Sequence, residues 1–387
     1  MSFKYKEIRA MAYCNTILSQ LAAFFPRHDF EKLATQYHQG QKFRSFNRWS
    51  QFMAMTIAQL TGRKSLRDLA GNIAAQGKRI YHLGMRPTSR ATLARVNDRQ
   101  PYDIYKEMFF QLLQRCQARA PKHQFKFKGK IYLLDATTIK LCLAIFPWAT
   151  FRQAKGAIKL HFGLDADGHL PVFMDMTNGK KHEIDWARSL HLRAGSCVVF
   201  DRGFTDYSWY GDLDRKKIIF VTRLKSNAKT YGYGNKRKPD SPTVVRDQKV
   251  KLAGYTYTFR RIHYIDPETG IKYQFLTNSR KLKASEVAAI YKERWKIELF
   301  FKWIKQNLKV KTFLGTSENA VLTQLWIALC LYLLLAYLKF VAKLGLSLSG
   351  ILRLLQLNLF NRRSMTDLFK PPDNPQPIKS PQLLLWN

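Results

Sequence analysis

Lys130-Ile-Tyr-Leu-Leu-Asp135 is the stretch from which the architecture follows. Four apolar residues in a row, with no polar alternation, suit a short strand buried on both faces. The run ends in a carboxylate. The same pattern returns at Cys197-Val-Val-Phe-Asp201. An acid that closes a buried strand sits at the rim of a sheet, where side chains converge. Burying it without a partner is expensive, so it must be paired, hydrogen-bonded or bound to a cation. Taken singly, Asp135 and Asp201 each read as turn or capping acids.

Working outward, Ile158–Leu164 and Leu170–Met176 flank the turn Asp165-Ala-Asp-Gly168 and predict a hairpin. A helix is expected over Glu183–Leu192, then the Cys197 strand, a short helix, and the strand Ile218–Thr222. Three strands, a helix, a strand, a helix and a strand predict an α/β protein, a mixed sheet with flanking helices. This order matches the ribonuclease-H-like fold. Residues 225–278 differ in texture. A loop rich in Gly, Tyr and Lys (Lys225–Pro242) leads into alternating segments Val244–Leu252, Tyr255–Ile265 and Lys272–Thr277, with Pro267-Glu-Thr-Gly270 as a turn. They predict a β-rich insertion. A helix follows from Ser285, read as its N-cap, to about Leu308.

Residues 1–125 read as a helical N-terminal domain that binds DNA. Segment 46–60 has helical spacing after Ser45, a candidate cap. Helices near Ser65–Leu69 and Thr88–Asn97, the second capped by Thr88 or Ser89, suggest a helix-turn-helix with Arg90, Arg95 and Arg99 toward DNA. A helical bundle with a solvated basic face is the competing reading. The full division is 1–125; 126–224, the first part of a catalytic core; 225–278, the insertion; 279–345, the second part; and 346–387, a C-terminal tail whose prolines predict loose order after 365.

Charge narrows the partners. Lys and Arg number 65 against 27 Asp and Glu, a formal net charge of +38. A compact body repels itself at that charge, so a polyanion is expected, double-stranded DNA foremost. The basic residues run along the whole chain, unlike the juxtamembrane cluster of a membrane-surface protein. Residues 320–338, AVLTQLWIALCLYLLLAYL, approach the length of a membrane span but read as a buried core helix. Five scattered cysteines with no CxxC pair predict neither a disulfide framework nor a zinc site. The start of the sequence shows no secretory signal, and a cytoplasmic protein is expected.

On the 285–308 helix, at about 100° per residue from Tyr291, Arg294 falls near −60°, Glu298 near −20° and Lys305 near −40°. Ile297, Phe300, Phe301, Ile304 and Leu308 form a separate apolar face for the core, and Lys292, Glu293 and Lys296 point to solvent. Surface ion pairing explains Arg294 and Glu298, four residues apart. It does not explain Tyr291 and Lys305 on the same line.

Tyr291-x2-Arg294-x3-Glu298-x6-Lys305, preceded by Leu134-Asp135 and Asp201-x-Gly203-Phe204, resembles the Tyr-Arg-Glu-Lys signature of the insertion-sequence-four family of DDE transposases. The β-rich insertion before the Glu is also a feature of that family. The resemblance covers roughly residues 128–340. It implies a DNA transposase that cleaves element ends and joins them to target DNA. Asp135, Asp201 and Glu298 would be the catalytic acids and would bind two divalent ions, Mg²⁺ with Mn²⁺ as a substitute. It also implies phosphate contacts from Tyr291, Arg294 and Lys305, and a homodimer on DNA. A metal-dependent nuclease without strand transfer, or a non-catalytic DNA-binding protein, are the alternatives. Some members carry a Trp in the insertion that stacks on a flipped base. None lies in 225–278, where Tyr231, Tyr233, Tyr255 and Tyr257 offer aromatic faces instead.

The remaining candidates have bland readings. Asp165 and Asp167 read as turn residues, and Asp175, Glu183 and Asp185 as acids near a helix start. His161 reads as a core histidine. Lys180-Lys-His182 and Lys236-Arg-Lys238 read as solvated or backbone-contacting loops.

Overall fold

Each face of the Lys130–Asp135 run meets its own apolar layer, which is why the run carries no polar alternation. In β1 (Ile131–Leu141), Ile131 and Leu133 belong to one buried cluster, while Leu134 joins a second with Trp186, Val198, Phe200 and Phe204. The computed structural model describes residues 15–38, 46–152, 155–179, 182–308 and 312–370. Cys14, Ser45 and Lys180-Lys181 lie outside these residues, as does the tail from 371.

β2 (Thr150–Arg152), β3 (Lys155–Asp165) and β4 (Leu170–Asn178) follow β1, then α7 (Glu183–Ser189), β5 (Cys197–Val199), α8 (Tyr207–Arg215) and β6 (Ile219–Arg223). The six helices before β1 are given below. β1, β5 and β6 are parallel, and β3 runs antiparallel to both β1 and β4. Apart from the three-residue β2, which was not expected, the expected order of strands and helices is present, and it is that of the ribonuclease-H-like fold. β1 does not end at Asp135 but runs on to Leu141, because β3 continues beside it as a ladder partner. Helix α7 stops at Ser189 rather than Leu192, because Leu190 leaves the helix with ψ 132.

The segment 225–278 continues this sheet. β7 (Thr230–Arg237), β8 (Val244–Leu252), β9 (Thr258–Ile265) and β10 (Lys272–Thr277) attach through an antiparallel β10–β6 pairing. Among the described residues the sheet has ten strands, in the order β2-β3-β1-β5-β6-β10-β9-β8-β7 with β4 on β3. β7 is a strand where composition predicts loop. Its glycines weaken strand propensity, but the free edge of β8 supplies a ladder partner, interrupted between Gly232 and Lys236. β9 begins at Thr258, three residues later than expected.

The helices before the sheet are α1 (Ile17–Ala22), α2 (Arg27–His38), α3 (Arg48–Thr61), α4 (Leu66–Ala75), α5 (Arg90–Arg99) and α6 (Asp103–Gln117). Asn47 caps α3 through its side chain, and Ser65 and Ser89 cap α4 and α5. A 3-10 segment, Gly77–Leu83, and an extended stretch separate α4 from α5. The short turn of a helix-turn-helix is absent between them. α11 (Glu318–Val341), which contains the 320–338 run, packs against α3, α5, α6 and α12 (Leu348–Asn358). Among the described residues it alone is long and apolar enough to cross a membrane, and 94% of its apolar window is buried inside the protein. It is a core helix. α13 (Met365–Leu368) ends the described chain.

The expected single helix at 285–308 is two: α9 (Ala284–Glu293) and α10 (Trp295–Asn307). Arg294 joins them with φ −53 and ψ −28, and i→i+3 bonds tighten the joint (Arg294 N to Tyr291 O, 3.0 Å; Ile297 N to Arg294 O, 3.1 Å). Lys283, not Ser285, holds the N-cap position and makes no side-chain cap. Asp240, from the β7–β8 loop, accepts the Ser285 backbone N–H instead.

Candidate active site

Along β1 successive side chains alternate between faces. Leu134 goes to the face of α7 and α8, so Asp135 goes to the face of α9 and α10. Its backbone partner on β3 is Phe162, whose ring packs on Phe300 and Phe301 of α10. The aromatic contact seats α10 over the strand and brings the Arg294–Glu298 segment above Asp135.

Arg294 is the hub. One guanidinium nitrogen donates to Asp135 Oδ2 at 3.2 Å, and the other donates to Glu298 Oε1. The side chains of Arg294 and Asp135 are 15% and 16% exposed, that of Glu298 33%. The Arg294 Nε–H is buried with no hydrogen-bond partner. Arg294 also lies 5.8 Å from the centre of the Tyr291 ring, which packs on Phe275 at 4.9 Å. Lys305, two turns beyond Glu298, donates to Thr137 Oγ1, two residues along β1 from Asp135 and on the same face.

Burial pushes the Asp135 carboxyl up to about 7. The Ala136 N–H and Arg294 pull it down; Asp201 and Glu183 push it further up by charge repulsion. Asp201 follows β5 and accepts the Gly203 N–H at 2.8 Å, the cap of a 3-10 turn. So Asp201 does serve as a turn acid, and it stands close enough to act on Asp135.

Glu183, expected only as a helix-start acid, also reaches this rim. A Cβ placed on Gly203 would meet Glu183 Oε2 at 2.8 Å and Asp201 Oδ1 at 2.9 Å, so the two carboxylates crowd one glycine. Glu183 pairs with Lys159 of β3 at 3.5 Å.

The structure thus brings Asp135 and Glu298 to one guanidinium, with Asp201 and Glu183 alongside. Among the described residues, no three His, Cys, Asp or Glu side chains close into a group able to hold a metal ion. Like-charged carboxylates repel, and Arg294 fills the space between two of them. The donor set is nevertheless all hard oxygen, and Asp135 is a buried acid that a cation would relieve. It fits Mg²⁺ or Mn²⁺ and does not fit a soft-ligand metal.

Other sequence candidates fall elsewhere. Arg90, Arg95 and Arg99 are exposed on α5. Tyr291 is buried, with 8% of its surface exposed. Glu293, expected to face solvent, is half-buried and bonds His169 at 2.5 Å. Asp165 and Asp167 are buried and paired with Lys130 at 2.6 and 2.7 Å, Lys122 adding a second cation on Asp167 at 3.1 Å, so they support the fold beyond the turn itself. His161 is the expected core histidine, stacked on Trp186 with its centroid 5.2 Å away. Sequence reasoning missed Trp295 and Leu299, 57% and 43% exposed, which flank Glu298 on α10. The signal was present: Trp295 lies about 40° from Tyr291 on the wheel, well off the apolar face.

Asp135, within β1 just beyond its parallel pairing with β5, and Asp201, two residues past β5, meet in a protein of net charge +38, an arrangement that suits an enzyme acting on nucleic acid. The family model for the transposase DDE domain matches residues 126–334, and a model for a domain of unknown function matches 13–86. A Sinorhizobium fredii protein described as a putative transposase is 32% identical over 322 residues, covering 79% of this chain and 87% of that protein. A Geobacillus stearothermophilus protein, described as the probable transposase for insertion sequence element IS5377, is 27% identical over 253 residues, covering 64% and 67%. Among solved structures, the piggyBac transposase synaptic complex with hairpin DNA aligns at TM-score 0.47 and 10% identity, over 95% of this chain and 84% of that one. The chain belongs to the DDE transposase family, whose members cleave and join DNA.

Proposed function

We propose that this transposase cleaves the ends of its own element and joins them to target DNA, with Asp135, Asp201 and Glu298 as the metal-binding acids. The observation that carries the reading is Arg294, which ties Asp135 of β1 to Glu298 of α10 beside Asp201. Tyr291, Arg294, Glu298 and Lys305 belong to one functional unit, as the Tyr-Arg-Glu-Lys signature of the insertion-sequence-four family implies. Asp135, Asp201 and Glu298 would hold two Mg²⁺ ions, Mn²⁺ serving in their place. Bound there, the metal would activate the attacking oxygen and stabilise the leaving one.

The protein's own groups prepare and orient. Arg294 bridges Asp135 and Glu298, a single positive charge shared between two carboxylates, and so holds them side by side. Lys305 adds a second positive charge on the same side of β1. Trp295 and Leu299 present an apolar ledge on which a base beside the cut can stack. Tyr291 is buried and supports Arg294 through its ring, a positioning role more than a direct phosphate grip.

We assign residues 1–125 to DNA binding, with Arg90 and Arg95 on the exposed face of α5. Residues 126–224 and 279–345 form the catalytic core, 225–278 the insertion and 346–387 the tail. The DNA-bound form would be a homodimer at the prokaryotic nucleoid. The test is incubation of the purified chain with its flanking DNA ends and Mg²⁺, mapping cut and joined products. Joined products are expected. Cutting without joining would reduce the protein to a nuclease, and neither product would remove the catalytic reading.

A further inference from the structure

A cavity of about 250 Å³ opens on the outer part of the sheet, lined by Tyr233, Arg237, Lys249, Thr258, Arg260 and Arg280, with Phe259 and Asn278 behind them. Its floor is fixed. Arg260 is 4% exposed, and its guanidinium holds Asp247 through Nε at 2.7 Å and Nη2 at 2.5 Å. Its remaining nitrogen donates to the Ser279 and Leu282 carbonyls, so Arg260 is fully engaged by the fold. Arg237 donates to the Arg280 carbonyl at 2.9 Å, which fixes the wall. That leaves the charges of Arg237, Lys249 and Arg280 facing one small space whose lining contains no carboxylate. Lys236 and Lys238, from the same basic run, are exposed and line nothing.

The cavity lies on the same side of the sheet as the acids. Lys249 pairs with Arg260, and Arg260 with Thr277, so these side chains share a face. Phe275, two residues before Thr277, is on that face too and touches Tyr291 of α9. α9 begins just after Arg280 and ends at Arg294. Its ten residues, Ala284–Glu293, span about 15 Å at about 1.5 Å each, placing the cavity and the Asp135–Arg294–Glu298 group at opposite ends of one helix. Duplex DNA advances about 3.4 Å per base pair along one strand, so that length corresponds to about four or five base pairs.

We propose that the Arg237–Lys249–Arg280 cavity is a phosphate anchor for duplex DNA, gripping the backbone about four or five base pairs from the phosphate held at the carboxylates. It rests on the catalytic reading above only for that register. The cavity is too small for a base pair, and its ligand is one phosphodiester group with its flanking sugar oxygens. A fixed anchor one helix-length from the cut sets which phosphate reaches the acids, because phosphate contacts fix register without reading sequence.

The test uses the full chain with chelator present and a labelled duplex carrying the DNA that flanks its reading frame. Binding is measured against salt for the parent protein, for Lys249→Gln with Arg280→Gln, and for Arg353→Gln, which removes an exposed cation on α12, outside the segments assigned to DNA binding and catalysis. The double variant should lower the slope of log affinity against log salt by about one, the share of one lost phosphate contact. Arg353→Gln should leave the slope unchanged. Ethylation of single phosphates should show one interfering position, about four or five from the cut, that no longer matters in the double variant. Parent-like slope and interference in that variant would overturn the proposal. The single Lys249→Gln, a partly exposed change on β8, decides the question if the double variant does not fold. The slope needs no cleavage, so it stands or falls apart from the catalytic reading.

Discussion

Replacing Asp135 by Asn removes a charge that is costly to bury. The carboxyl is raised from 3.8 to about 7, chiefly by burial, so its protonated form is the one the native state prefers. For an acid raised in this way the cost is absent below its unfolded value, grows as pH rises between the two, and is complete above about 7. About three units at about 1.36 kcal/mol each give about 4 kcal/mol as the upper figure for relief by a neutral side chain. The attraction of Arg294 for the charged carboxyl is already contained in that shift, because Arg294 is among the groups that pull it down. The net expectation is a metal-free variant more stable than the parent above pH 7 by up to about 4 kcal/mol, and no gain below pH 4. Denaturant unfolding in chelator across that pH range measures it. Adding Mg²⁺ or Mn²⁺ should then stabilise the parent and not the variant, because a ligand that binds only the folded form adds to its stability. A variant no more stable than its parent at high pH would refute the burial argument. Equal stabilisation of both by metal would remove Asp135 from the metal site.

Glu298→Gln should abolish cleavage while end binding stays within about a factor of two in gel shifts, since one charge is lost but bulk and the Arg294 contact remain. Undiminished cutting would dismiss Glu298 as a catalytic acid. Trp295→Ala should weaken binding of a cleavable end by about 1–3 kcal/mol, the worth of one stacked base, with Trp295→Phe recovering most of it. Equal loss in both variants would argue against stacking. Cleavage by the parent should rise with pH through about 7 as Asp135 loses its proton and accepts metal, and rising Mn²⁺ should move that limb to lower pH. A limb indifferent to metal concentration would mean another group titrates. Leu331→Ala, at a site with no exposed surface in α11, should cost about 2–5 kcal/mol in denaturant unfolding. A loss under about 1 kcal/mol would contradict the burial of α11 as the core of the helical half.

Much of the fold was legible because its signals are local. β8 and β10 begin and end where alternation said they would, and the strand–helix order from β1 to β6 needed only runs and turns. β7 was not legible. Gly232, Gly234 and a lysine-rich end argue against a strand, and only the open edge of β8 supplies the partner that makes one. The break at Arg294 was hidden for a related reason. Arg is a good helix former, and nothing in its neighbours interrupts the period. In the candidate site, wheel geometry put Arg294 beside Glu298 but could not show Glu183 near Asp201, because Gly203, which lets both approach, is distant from Glu183 along the chain.

The sequence by itself determined that two buried apolar runs are each followed by an acid, that Arg294, Glu298 and Lys305 keep off the apolar face of the helical segment after the insertion, and that the chain seeks a polyanion. Periodicity and composition carry those facts because they depend on neighbours a few residues apart. Only the tertiary structure decided that Arg294 spans Asp135 and Glu298, that Tyr291 is buried beneath it, and that Arg237, Lys249 and Arg280 share a cavity. Those meetings follow from strand register and from rings such as Phe162 against Phe300, contacts between residues far apart in the chain that no local pattern encodes.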